Sequence, residues 1–400
     1  MAIPIITLKH KKEASIIRKH PWIFSGAIER ILIDEDKEDL EDGEIVKVVA
    51  NNGNFLALGH FHNGSIAVRI FSFEDVTPSA KFWEDKVKNA IEYRKTIGLF
   101  DSEETTTYRL IHGEGDGFSG LIIDVYGDVA VYQAHSIGMH KVRNEIAAAI
   151  VKASKGKLKA IYDKSAETLP ADYAATIENG YLIGEHEGKQ LVKENGMSFE
   201  IDWVSGQKTG FFIDQRENRK LLQKYVNGKK LLNTFCYSGG FSVYALEAGA
   251  KEVHSLDSSE KAITLTDRNI EINFDKKIKH KSIVADTITF LNKCEEDYDL
   301  IILDPPAYAK NKKSLHNAIQ GYKRLNARAF KMMKKGGVLF TFSCSQVVDR
   351  QTFYNTIMAA AIESGRNVRV MEHLSQPADH PVSMYHPESA YLKGLVVYVD

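Results

Sequence analysis

Residues 231–241 read LLNTFCYSGGF, and the stretch that follows reads SVYALEAGA. An apolar run entering Ser238, Gly239 and Gly240 and leaving as a helical pattern is a buried strand, a tight turn and a helix. Glycines at such a turn let the backbone approach a bound group at a helix amino terminus. Packing alone also explains a glycine-rich turn, so the neighbouring stretches decide. The next apolar strand ends in VHSLDSS. Its Asp257 lies about 20 residues past the glycines, where an acid takes both hydroxyls of a ribose. That spacing suits NAD and S-adenosylmethionine alike. The turn lacks a full G-x-G-x-x-G, which weakens the NAD reading.

Three further strand ends continue the pattern. Asp286 closes the third, in IVADTITFL. It is placed to reach an adenine amino group or to cap the following helix, and the two roles are compatible. Asp304 follows YDLIIL and precedes Pro305, Pro306 and Tyr308. Prolines cannot donate to a ladder, so the strand stops and leaves a carboxylate at its tip. GGVLFTFS then runs into Cys344. A cysteine there is either a small packing residue or a thiol facing the crevice where open α/β sheets bind ligands.

These strands, KLLNTF, EVHSLD, SIVAD, YDLIILD and GVLFTFS, alternate with helical stretches. The alternation predicts a parallel sheet covered on both faces, a doubly wound α/β domain over 196–400. Upstream, residues 76–195 read as an α+β connector, with a helix in KFWEDKVKNAIEYRKTIGL and strands around Gly127. Residues 1–75 read as short strands and turns, a small β barrel. The fold class expected is multidomain α/β. Between the early strands lies IDEDKEDLEDGE at 33–44, eight acids against one lysine, read as a solvated loop.

Charged residues make up 26% of the chain, hydrophobic ones 44%, and the formal net charge is −1. This is ordinary globular composition, and any nucleic-acid contact must come from a local patch. One exists: from Ala307 to Lys335 there are nine lysines and arginines and no acid. Lys310, Lys312 and Lys313 stand closest to the Asp304 strand end and suggest phosphate contacts. Cys236, Cys294 and Cys344 are odd in number and outside any C-x-x-C pattern. That argues against a disulfide framework or a metal site and for a reducing cytoplasm. No apolar window has the length of a membrane span or a signal peptide.

Together these motifs resemble class I S-adenosylmethionine-dependent methyltransferases. KTGFFIDQRENR (208–219), DPPAYAK, SCS and ADHPVSMYHPESAYLKGL resemble the bacterial large-subunit ribosomal RNA 5-methylcytosine methyltransferases. HPWIFSGAI resembles the start of that family's RNA-binding PUA domain. The resemblance spans essentially the whole chain. It implies S-adenosyl-L-methionine as cofactor and ribosomal RNA as partner, with a homodimer left open. It implies that Asn233, Phe235, Tyr237, Ser238 and Gly239 line the methionine part. Asp257 would hold the ribose, Ser258 would also touch the cofactor, Asp286 would lie near adenine, and Phe212, Gln215 and Arg216 would close over the site. Asp304 would face both cofactor and base, and Cys344 the base.

The chemistry implied is methylation of cytosine carbon 5. That carbon is a poor nucleophile until a thiolate adds at carbon 6. One departure stands out. Many RNA 5-methylcytosine enzymes carry a second cysteine in the DPP region, whereas here it reads DPPAY, which also resembles amino-group methyltransferases. Methylation of a base nitrogen and a non-catalytic RNA-binding assembly factor are therefore the alternatives. Cys236 is read as a packing residue, and Cys294 as lying on a polar helix end with no partner in view.

Overall fold

The computed structural model describes residues 3–33, 39–275 and 277–400, so part of the acidic run, at 34–38, lies outside the described residues. The chain divides into two compact units. The first is Met1–Val192 with Ile201–Phe211 and Ala378–Ser389, and the second is Lys193–Glu200, Phe212–Pro377 and Ala390–Asp400.

The first unit opens with β1 (Ile5–Leu8), α1 (Ala14–Ile17), β2 (Trp22–Phe24), β3 (Ile28–Leu32), β4 (Ile45–Val49), β5 (Phe55–Phe61) and β6 (Ile66–Ser72). They form one sheet in the order β2-β6-β5-β4-β1-β3. Alternation in β4 turns Val46 and Val48 inward onto Ile6, Leu8, Val68 and Ile70. Next comes α2 (Ala80–Thr96), capped by Ser79 Oγ accepting from the Phe82 N–H. Trp83, Val87 and Ile91 recur at a four-residue spacing and are buried, each worth roughly 1.5–3 kcal/mol of transfer free energy. Leu58 and Phe71 of the first sheet share their core. The unit continues through β7 (Thr107–His112), β8 (Leu121–Tyr126), β9 (Val129–Ala134), α3 (Ile137–Lys141), α4 (Arg143–Ala153), β10 (Ala160–Asp163), α5 (Ala171–Ala174) and β11 (Gly180–Ile183). The second sheet runs β11-β10-β9-β8-β7. The sequence reading had no strand at β7 or β11. A hairpin follows, β12 (Lys189–Glu194) and β13 (Met197–Asp202). It turns at Asn195-Gly196, both at positive φ, as a two-residue hairpin loop requires.

The second unit holds α6 (Arg216–Val226), β14 (Lys230–Thr234), α7 (Gly240–Glu247), β15 (Glu252–Asp257), α8 (Glu260–Asn273), β16 (His280–Val284), α9 (Thr287–Lys293), β17 (Tyr298–Leu303), α10 (Leu315–Met332), β18 (Met333–Ser343), α11 (Arg350–Ser364), β19 (Val368–Ser375) and β20 (Lys393–Val399). Its seven-stranded sheet runs β16-β15-β14-β17-β18-β20-β19. β17 shows why the strands read as unbroken apolar runs. Ile301 and Leu303 face one core cluster, and Leu300 and Ile302 the other, so both faces are covered. The five strands read from sequence are parallel. The sheet departs from an all-parallel expectation at β20, which pairs antiparallel with both β18 and β19.

Candidate functional site

The order of strands reverses between β14 and β17, and in open α/β sheets ligands bind outside the carboxyl ends of the strands at such a point. Thr234 of β14 is level with Leu303 of β17, and Leu303 with Thr341 of β18. Phe235, Asp304 and Cys344 therefore leave the same edge of the sheet from neighbouring strands. Asp257 leaves it from β15.

The turn after β14 is held from several sides. Phe235, Tyr237 and Gly239 all have positive φ (56°, 47° and 74°). For two bulky aromatics that is an uncommon conformation, of the kind that clusters at ligand sites. Asp257 holds it: Oδ2 accepts from the Tyr237 N–H at 3.0 Å, and Oδ1 from the Ser259 N–H at 3.0 Å. Thr266 and Asn269 of α8 donate to the carbonyls of Tyr237 and Ser238 at 2.9 Å each. A Cβ on Gly239 would meet Thr266 Cγ2 at 2.7 Å, and one on Gly240 would meet Arg219 Cδ at 3.0 Å. Phe212 sets its ring edge-on to Tyr237 at 5.1 Å between centroids. Cys236 is buried within the turn, and burial pushes its thiol up to about 12, which disfavours a thiolate there.

Asn233, 1% exposed, donates through Nδ2 to Ser242 Oγ at 2.9 Å. Its Oδ1 is buried with no hydrogen-bond partner. An orphaned buried acceptor costs about 1–3 kcal/mol unless something donates to it. At the root of a glycine turn it suits a cationic amine, such as the α-ammonium of S-adenosylmethionine. Ser258 is exposed beside Asp257. Asp286 is exposed and caps α9, its Oδ1 accepting from the N–H and Oγ1 of Thr289 at 2.8 and 2.7 Å. Those bonds hold its pKa below the usual carboxylate range and leave Oδ2 for a ligand.

Asp304 is half-buried. Gln215 Nε2 donates to its Oδ2 at 3.0 Å, and Gln215 is fixed by Asn218 at 2.6 Å. Burial first, then the nearby charge of Asp214, pushes the Asp304 carboxyl up to about 7, against the opposing pull of Gln215 and Arg219. It can therefore stand as acid or base near neutrality. Arg216 is buried, with Nε on Glu217 Oε1 at 3.1 Å.

Sequence reasoning missed Asp214 and Arg219, though both lie within the quoted KTGFFIDQRENR. Asp214 accepts from Tyr391 OH at 2.7 Å and keeps Oδ1 buried without a partner. Arg219 forms a buried two-bond pair with Glu194 at 2.7 Å each and donates to the Phe212 carbonyl at 3.0 Å. The signal available was position: Asp214 directly precedes Gln215, and Arg219 follows it by four residues, about one helical turn.

Cys344 is half-buried just past β18. Lys310, Lys312 and Lys313 are exposed between β17 and α10. Farther along the basic run, Lys323 and Lys334 are taken up by Glu363 and Asp299.

Comparison with known proteins adds the following. A family model described as S-adenosylmethionine-dependent methyltransferase matches residues 152–397, and one described as PUA-like domain matches 6–73. Ribosomal RNA large subunit methyltransferase I of Aeromonas hydrophila is 37% identical over 98% of both chains. The protein of the same name from Klebsiella pneumoniae is 36% identical over 99% of this chain and 98% of its own. Among solved structures, an S-adenosylmethionine-dependent methyltransferase from Streptococcus mutans superposes over the full length of both chains with a TM-score of 0.82 at 23% identity. A methyltransferase complexed with SAH does so with 0.83 at 24%. At those identities the structural likeness speaks to fold alone.

Proposed function

The chain belongs to the S-adenosylmethionine-dependent methyltransferase family, with a PUA-like domain at its start, and from that premise we propose that it methylates carbon 5 of a cytosine in large-subunit ribosomal RNA. Relatives named as ribosomal RNA large subunit methyltransferases support the RNA substrate. The observation that carries the carbon chemistry is a half-buried thiol, Cys344, leaving the sheet on the strand next to the one that ends in Asp304. Methylation of an exocyclic amine needs no thiol.

In this reading Asn233, Phe235, Tyr237, Ser238 and Gly239 hold the methionine part of the cofactor. Asp257 and Ser258 hold the ribose, Asp286 lies near adenine, and Phe212, Gln215 and Arg216 cover the site. The bound cofactor supplies an electrophilic methyl group on a sulfonium. Cys344 would lose its proton to solvent and add as thiolate to carbon 6 of cytosine; the electrons of the 5,6 double bond would move to carbon 5, which would take the methyl group as its bond to the sulfonium breaks and a neutral thioether leaves. Asp304, in its protonated form, donates to ring nitrogen 3 and steadies the charge that develops there. Loss of the carbon 5 proton to a base restores the double bond and expels the thiolate. Lys310, Lys312 and Lys313 contact phosphates. Residues 1–75 anchor RNA, 76–195 connect and 196–400 catalyse, in the cytoplasm where ribosomes are built.

The DPPAY sequence favours a second reading, methylation of a base nitrogen. Nucleoside analysis separates the two. Large-subunit ribosomal RNA made without modifications is incubated with enzyme and methyl-labelled cofactor, digested, and its nucleosides are resolved by mass and retention. The expected product is 5-methylcytidine. An N-methylated nucleoside would overturn the carbon reading. Cofactor binding with no labelled nucleoside would point to an assembly factor.

A further inference from the structure

Lys393, the first residue of β20, is 4% exposed. It sits opposite Ser343 in the β18–β20 ladder, one residue from Cys344. Its Nζ donates to the carbonyls of Ser345 and Val348, both at 2.6 Å. The Val348 N–H also returns to the Ser345 carbonyl at 3.1 Å, so the ammonium closes the turn that carries the cysteine. The other side of that turn is tied as well. Ser345 Oγ accepts from the Ala309 N–H at 3.3 Å and meets Tyr322 OH at 3.0 Å, and Ser343 Oγ donates to the same hydroxyl at 3.0 Å. Tyr322 is 1% exposed.

What this arrangement lacks is a carboxylate. Among the described residues none forms an ion pair with Lys393, and a buried ammonium without a countercharge is costly. Burial lowers Lys393 to about 8. Cys344 is the foremost group pulling it back up, with Asp349 behind it and Arg350 opposing. Tyr322 also lies within electrostatic reach of Cys344. Two carbonyls take two of the three N–H donors of Lys393 and leave its charge uncompensated. A thiolate at Cys344 satisfies the charge.

We propose that Lys393 is a positioning residue for Cys344: its ammonium fixes the turn that presents the thiol and provides the positive charge against which the thiolate forms. The proposal rests on the reading of Cys344 as the nucleophile. Lys393 touches neither RNA nor cofactor in this role. It is protonated at neutral pH and moves no proton.

The test reads the thiol directly. Full-length protein is treated with iodoacetamide across pH values from about 5.5 to about 9, and alkylation of the Cys344 peptide is followed by mass spectrometry. Lys393→Met should move the midpoint of the rate profile up by about one pH unit, so alkylation at neutral pH slows roughly tenfold. Lys393→Gln keeps an N–H donor for the carbonyls but no charge, and should shift likewise. Lys393→Arg keeps the charge and should restore the wild-type profile. If the methionine variant fails to fold, the glutamine and arginine variants carry the comparison. Profiles for the uncharged variants that superimpose on wild type overturn the electrostatic role, whatever nucleotide is methylated. Methylation by Cys344→Ala, by contrast, would overturn the nucleophile reading and leave the alkylation result standing.

Discussion

Asp304 shows how much one side chain at a strand tip can carry. An aspartate raised from 3.8 to about 7 binds its proton more tightly in the folded state than in the unfolded one. Its contribution is therefore greatest below pH 4 and is lost as pH rises toward 7, on the order of 4 kcal/mol across that window. Asp304→Asn should remove this slope, and its melting temperature above pH 7 should exceed that of the wild type while methylation falls. Calorimetric melts at several pH values check it, and parallel slopes in both proteins would contradict the assigned carboxyl. Asp257 makes a simpler case. Asp257→Ala should weaken S-adenosylmethionine binding about tenfold or more, from a lost charge-assisted bond of roughly 1.5–3 kcal/mol, read by titration calorimetry. Both residues were legible because each ends an apolar run. Asp214 was not. It matters only through its nearness to Asp304, 90 positions away, and no local pattern encodes a tertiary contact of that span. Lys393 lay inside a quoted motif, but its burial depends on the ladder that β20 forms with β18.

The turn between β14 and α7 is the element that the proposed cofactor site is built on. Gly239 has a φ of 74° and a wall of Thr266 at 2.7 Å. Gly239→Ala should cost roughly 1–3 kcal/mol and loosen the backbone that Asp257 holds. A denaturant midpoint and a cofactor titration measure the two effects, and an alanine variant equal to wild type in both would remove the strain argument. At this scale the five parallel strands were legible because burial on both faces leaves unbroken apolar runs. β7 and β11 were not: TYRLIH mixes polar and apolar residues, and GYLI is short and half-buried throughout. The reversed β20 was missed for another reason. Its KGLVVYV looks like any buried strand, and direction is set by the connection, not by composition. The basic stretch before α10 belongs here too. Replacing Lys310, Lys312 and Lys313 together should flatten the dependence of RNA affinity on salt by about 2–3 in log–log slope. An unchanged slope would make them ordinary solvated lysines.

For the whole molecule, the central proposal is that a protein sulfur becomes transiently bonded to the substrate. Fluorine at carbon 5 cannot leave as a proton does, so 5-fluorocytidine at the target position should arrest the reaction after methyl transfer. With S-adenosylmethionine present, wild-type enzyme should then migrate as a protein–RNA complex under denaturing conditions, and digestion should leave the nucleotide on the Cys344 peptide. Cys344→Ala should bind cofactor, form no such complex and transfer no methyl group. A Cys344→Ala enzyme that methylates at near wild-type rate, or an adduct carried by Cys236 instead, would contradict it.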